Sequence, residues 1–156
     1  MKFEPTGLPG IIKIVPTVHE DSRGFLMETW QAGIFADNGI DAVLAQENFS
    51  HSRKGTLRGL HYPIEPAQAR LVPVVQGAVF DVSVDLRKSS PHFGQWFGEI
   101  LSAENKHRLW VPAGFAHGFL VLSDAAALNT IAPNTMRRST IVRSAGMIRT
   151  SASIGH

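Results

Sequence analysis

Short runs rich in Val, Ile, Phe and Leu recur along this chain, separated by Gly, Pro, Asn and Asp: 11–15, 25–29, 42–47, 57–61, 71–75, 79–86, 96–101, 108–111 and 119–122. Runs of this length and composition read as strands, and so many in close succession require a sandwich or a barrel. Between Ala78 and Asp85 the alternation is clean. Ala78, Phe80, Val82 and Val84 fall on one face, and Val79, Asp81, Ser83 and Asp85 on the other. One face is therefore apolar and the other partly acidic, which gives polar groups a route into a lined cavity. Only 30–38, closed by Asn38-Gly39, reads as a helical turn or two, and Gln76-Gly77 reads as a hairpin connection. The fold class is all-β, a double-sheet jelly roll with little helix.

A chain of 156 residues that is 44% hydrophobic is long enough to bury a core as one domain. We assign that domain to residues 1–124 and treat 125–156 as an atypical, poorly ordered tail, rich in Thr, Ser, Ala and Arg. No stretch approaches the roughly 18 apolar residues that span a bilayer, and no apolar signal region stands at the start. There are no cysteines, so disulfides and thiolate metal sites are excluded and a cytoplasmic location is the default. The pI near 9.3 invites a nucleic-acid reading, but residues 1–124 carry a net charge of −2. The basicity belongs to Arg137, Arg138, Arg143 and Arg149. With no basic stripe interleaved with aromatics, nucleic-acid binding is not expected.

Chemistry concentrates in two segments. In Leu57-Arg58-Gly59-Leu60-His61-Tyr62, a permanent cation and a proton-transfer group stand three residues apart on an expected strand. Residues so spaced share a face only if the backbone kinks, and Gly59 permits that. A neutral imidazole at His61 can take a proton and return it, as enolisation beside a ketone requires. The ordinary role of a His is a buried ring bonded to a carbonyl; the nearby Arg58, suited to bidentate phosphate contacts, favours chemistry. The second segment, Pro112-x-Gly114-x-x-His117, resembles the second cupin motif, in which the His is often a metal ligand. The first cupin motif would add His-x-His and a Glu, where this chain offers His61-Tyr62-Pro63 and Glu65. A metal-free cupin with His117 lining the cavity is the favoured reading. Taken alone, Arg70 and Asp81 read as solvated charges. Asp21-Ser22-Arg23-Gly24-Phe25 reads as a turn entering a strand, and Gln46 to Ser50 as a polar strand edge.

Together these segments resemble the dTDP-4-dehydrorhamnose 3,5-epimerase family over about Gly10 to Ser123. The resemblance is carried by Leu57 to Tyr62, by Phe80-Asp81-Val82-Ser83-Val84-Asp85-Leu86-Arg87-Lys88-Ser89-Ser90-Pro91, by Leu101 to Lys106 and by Phe115-Ala116-His117-Gly118-Phe119. It implies a cofactor-free, homodimeric, cupin-fold isomerase acting on a dTDP-linked 4-keto-6-deoxy sugar, at one or both carbons beside the ketone. By the resemblance His61 is the base, Arg58 binds the diphosphate, and Arg70 stands where the family has a Lys that stabilises the enolate oxygen. Asp81 matches a family aspartate at the sugar end of the pocket, and His117 a residue lining it. Gln46 and Asn48 would contact the nucleotide. Arg23, Phe25 (or Leu26) and Glu28 would reach into the neighbouring subunit's site.

The family's acid is a Tyr soon after Phe-Ala-His-Gly-Phe, and a late Asp orients the base. Here the only tyrosine is Tyr62 and the last acid is Asp124. The same constellation without its acid is therefore also readable as a nucleotide-sugar-binding or impaired relative. The genetic code accounts for the departure. Reading the third base of each codon from Arg143 onward with the first two of the next permits Phe-Arg-Trp-Asp-Asp-Pro-Asp-Phe-Gly-Ile-Asp-Trp-Pro, a family-like ending. One step is forced, since ATG followed by an Ile codon yields GAT, aspartate. The reading expects a C-terminal segment translated out of frame.

Overall fold

A computed structural model describes residues 1–62 and 68–133 of the chain. The N-terminal part runs through β1 (Lys2–Pro5), β2 (Ile12–Val15), β3 (Val18–Asp21), β4 (Gly24–Met27), α1 (Ala32–Asp37), β5 (Leu44–Arg53) and β6 (Leu57–His61). It continues through β7 (Arg70–Gln76), β8 (Ala78–Asp85), β9 (Trp96–Ser102), β10 (Arg108–Val111), β11 (Phe115–Val121) and β12 (Ala125–Pro133). A six-stranded sheet has the order β1-β2-β10-β7-β12-β5, and a four-stranded sheet the order β6-β11-β8-β9; the β3–β4 hairpin stands apart as its own small sheet. The fold is all-β, as the strand rhythm requires, and among the described residues α1, within the expected 30–38, is the one helix.

The main core lies between the two large sheets. Val72, Val74, Leu109, Val111 and Leu128 come from one sheet, and Val79, Leu101, Phe115, Phe119 and Val121 from the other. Leu71 and Trp110 point the opposite way, into a second cluster with Ile14, Ile40 and Phe35 of α1. Adjacent residues thus bury on opposite faces, which is why β7 and β10 read as continuous apolar runs rather than as alternation. Gln31 Oε1 caps α1 by accepting from the Ile34 N–H at 2.6 Å.

The acidic face of β8 turns inward. Val79, Asp81, Ser83 and Asp85 are buried, while Ala78, Phe80, Val82 and Val84 lie half-buried on the outer face of the four-stranded sheet. Asp85 is tolerated there because it is fully paired. Arg87 donates through Nε and Nη2 at 2.9 and 2.7 Å, and Ser90 Oγ donates at 2.6 Å. Arg87 also lies 4.5 Å above the Phe115 ring, and a Cβ on Gly114 would stand 2.5 Å from the Arg87 Cγ. Gly114 therefore makes room for this staple.

The structure differs from the sequence reading at three places. Gln76-Gly77 is not a hairpin: β7 and β8 belong to different sheets. Gly77, at φ 71°, carries the chain across the core edge, where a side chain would collide with the Ala125 carbonyl. β1 and β3 are strands that composition does not announce, being short and carrying Lys, Glu, His and Asp. Residues 125–133, placed above in the tail, form β12, paired with β5 on one side and β7 on the other, with Ala126 and Leu128 in the core. The expectations of poor order and of an out-of-frame ending beyond Pro133 concern 134–156, outside the described residues.

Candidate active site

The site begins with a bulge in β6. On β11, His117 pairs with His61 and Phe119 pairs with Arg58, so three steps of one strand oppose two of the other. His117 and Phe119 are two residues apart and share the inner face; their partners His61 and Arg58 therefore share it too. Gly59 makes this geometry feasible. At φ 108°, its Cβ would fall 2.7 Å from both the Gly118 Cα and the His117 carbonyl oxygen. A Cβ on Gly118 would likewise stand 2.7 Å from the Arg58 carbonyl. The glycines of Arg-Gly-Leu-His and Ala-His-Gly-Phe are one feature, a backbone contact that fixes His61 opposite His117.

Behind His117 lies a charged chain that crosses between the sheets. His117 Nε2 is 2.8 Å from Asp81 Oδ2, and its Nδ1 is 3.5 Å from Arg70 Nη1. A guanidinium only donates, so Nδ1 accepts and the ring carries its proton on Nε2, donated to the carboxylate. Asp81 is fully buried and His117 nearly so, at 0% and 4% exposure. Burial pulls the Arg70 guanidinium below the usual arginine range, and the Asp81 charge opposes that pull. Asp81 Oδ1 and the Ser83 hydroxyl are buried with no hydrogen-bond partner among the described residues. Arg70, His117 and Asp81 thus form one unit, and Asp81 acts through His117 rather than at the cavity surface.

Arg58 ties β6 to β5 by donating from Nε to Ser52 Oγ at 2.8 Å. By register with β12, Gln46, Asn48, Ser50 and Ser52 occupy one face of β5, opposite Ala132, Thr130, Leu128 and Ala126. Ala126 and Leu128 belong to the inter-sheet core, so this face of β5 looks between the two sheets. Gln46 Nε2 donates to Asn48 Oδ1 at 3.4 Å. The structure therefore sets His61, Arg58, Arg70, His117, Gln46 and Asn48 on faces that look between the two sheets, with Asp81 buried behind His117. It places Arg23, Phe25 and Glu28 elsewhere, on or just after the hairpin. Arg23 is engaged there by Asp21, with Nη2 at 2.6 Å from Oδ2. Ser52, which anchors Arg58, is a residue that sequence reasoning missed, because a serine in a polar strand gives no sign of its partner. Among the described residues no three His, Asp or Glu side chains converge as a metal-binding group would.

The family model described as dTDP-4-dehydrorhamnose 3,5-epimerase matches residues 5–140. The dTDP-4-dehydrorhamnose 3,5-epimerase of Neisseria gonorrhoeae is 55% identical over 126 residues, covering 81% of this chain and 38% of the relative. That of Shigella flexneri is 54% identical over 128 residues, covering 81% of this chain and 71% of the relative. This chain thus spans well under half of the first relative and about seven-tenths of the second. The crystal structure of the Legionella pneumophila dTDP-6-deoxy-D-glucose-3,5-epimerase, in complex with dTDP-4-keto-L-rhamnose, superposes with a TM-score of 0.83 at 46% identity, over 86% of this chain and 72% of that one. A 3'-monoepimerase of Streptomyces bikiniensis in complex with dTDP-quinovose gives 0.79 at 35% identity, over 88% and 71%. With the glycine-pinned His61, the charged chain behind it and these matches pointing the same way, the chain belongs to the dTDP-4-dehydrorhamnose 3,5-epimerase family.

Proposed function

We propose that this protein epimerises dTDP-4-dehydro-6-deoxy-D-glucose at the carbons flanking its 4-keto group, in the cytoplasm and as a homodimer. The observation that carries the reading is the bulge that sets His61 and Arg58 on one face beside the Arg70–His117–Asp81 unit. The ketone acidifies its neighbouring C–H bonds. His61 takes the proton, and the electron pair of the broken C–H bond moves into a C=C bond while the carbonyl oxygen becomes an enolate. Arg70, a fixed and largely buried cation, balances that charge. Return of a proton to the opposite face restores the ketone and inverts the centre. Asp81 and His117 hold Arg70 in place, and Arg58 with Gln46 and Asn48 receives the diphosphate and nucleoside.

A second copy completes the site in this reading. The hairpin exposes Phe25 and Leu26 at 56% and 75%, unusually open for apolar residues on a strand that, among the described residues, pairs only with β3. The outer face of the four-stranded sheet adds Leu57, Trp96 and Ile100, each more than half exposed. Arg23, Phe25 and Glu28 would then act in the partner's cavity.

The test is solvent deuterium uptake by the substrate. Wild-type protein is expected to exchange; His61→Asn is expected to abolish exchange while dTDP titrates as before. Full exchange in that variant would move the base elsewhere. Because Tyr62 is the only tyrosine, the competing reading is a nucleotide-sugar binder, which predicts tight dTDP binding by the wild type with no exchange.

A further inference from the structure

Arg108 opens β10, only 7% exposed, and among the described residues it faces no carboxylate. Burial pushes its guanidinium below the usual arginine range, with no charge to offset it. Its Nε is buried without a partner. Its Nη1 donates to the Thr29 carbonyl at 2.7 Å, across 79 residues of chain. A desolvated cation bound chiefly to a backbone oxygen is a costly way to fill a strand position, and a hydrophobe would suit the neighbouring Ile14 and Trp110 better. What the guanidinium supplies is reach, to one point two residues beyond the end of β4. There the chain leaves the hairpin and Trp30 turns into the second cluster, 4.0 Å from Phe35. Two residues before Arg108, the Lys106 ammonium stands 4.8 Å over the Phe25 ring. One short segment thus grips both the tip strand of the hairpin and its root.

We propose that Arg108, with Lys106, is a positioning residue that fixes the angle of the β3–β4 hairpin, so that Arg23, Phe25 and Glu28 are delivered to the nucleotide in the partner subunit's site. This rests on the shared-site reading above. It assigns Arg108 an effect on a cavity in the other subunit, although its own contacts are all internal.

Complementation between variants separates the two ideas. Arg108→Met is expected to weaken dTDP binding by between about twofold and thirtyfold, the range that contacts remote from a ligand carry, with an unchanged light-scattering mass of twice 17.0 kDa. Heterodimers of Arg108→Met with Arg58→Ala, isolated by two affinity tags, place both defects in one site and leave the other intact. Calorimetry should then find one wild-type-affinity site per dimer. No tight site in that heterodimer, or wild-type affinity in the Arg108→Met homodimer, overturns the proposal. Arg23→Ala paired with Arg58→Ala is the control. If that pair restores a tight site and the Arg108 pair does not, the shared site stands and the positioning role falls. If neither does, or the protein is monomeric, the shared site itself falls and the proposal with it. If the Met variant does not fold, Lys106→Met, which removes the contact over the Phe25 ring and touches nothing in β10, replaces it and is read in the same way.

Discussion

At Gly59 and Gly118 two backbones meet without room for a methyl group, and the consequence is chemical as well as structural. Gly59→Ala would place Cβ 2.7 Å from backbone atoms of β11 at a φ of 108° that L-residues avoid. We expect a loss of about 2–4 kcal/mol by denaturant melts, and a fall in deuterium exchange larger than any loss of dTDP affinity, since His61 moves with the strand. Retained exchange in a folded Gly59→Ala protein would show that the bulge does not set the base. Asp81 makes the complementary case. Asp81→Asn keeps the shape but removes the charge that faces Arg70 through His117, so exchange should slow by about 10- to 100-fold, the loss of one charge-assisted bond. Binding of dTDP should stay within a factor of two or so, because Asp81 lies behind the cavity wall. The kink at Gly59 was legible in the sequence, since a cation and a base three apart cannot otherwise cooperate. Burial of Asp81 was not legible: read alone, an aspartate on an alternating strand says only which residues share its face, not which face is covered.

Within the elements, β8 and the loop after it show how an acidic strand can line a core. Asp85 is fully buried, and the Arg87 guanidinium, with the Ser90 hydroxyl, holds its carboxyl well below the usual aspartate range. In the window below the ordinary aspartate value of about 3.9, the unfolded chain binds the proton that the native state refuses. Stability from this group is therefore full above that value and lost as pH falls toward the depressed native one. Asp85→Asn should cost about 2–3 kcal/mol at neutral pH, with the gap between variant and wild type narrowing as pH falls below about 4 toward the depressed native value. A gap that does not narrow would mean that the carboxylate is not the stabilising form. Strand periodicity made most of the elements legible, from β6 and β10, whose ends match the apolar runs, to β9. It failed at β1 and β3, whose charged residues reflect solvent on one face, and at Gln76-Gly77, where a turn signal marks a passage between sheets. Sequence shows that the chain turns; only packing decides onto what.

For the molecule as a whole, the decisive strand is β12. It lies between β7 and β5, and without it β5 has no neighbour in its sheet. A chain ending at Asp124 should therefore lose cooperative melting and aggregate through two open edges, while one ending at Pro133 should keep a cooperative transition. Equal melts for the two would show that β12 adds little to the sheet. The segment lay beyond reach of the sequence because its short alanine-rich run has weak strand propensity and is recruited by neighbours on both sides. Its position also has a consequence for synthesis. Leu44–Arg53 is made early, yet it can be stitched into the sheet only after Ala125–Pro133 has been added. Until then β6 and β7, with His61 and Arg70, can assemble against β11 and β10, while the strand bearing Gln46 and Asn48 hangs unpaired. On the proposed reading, a chain not yet extended to Pro133 holds His61 and Arg70 without the wall that carries Gln46 and Asn48, and the two are brought together only once Ala125–Pro133 has been made.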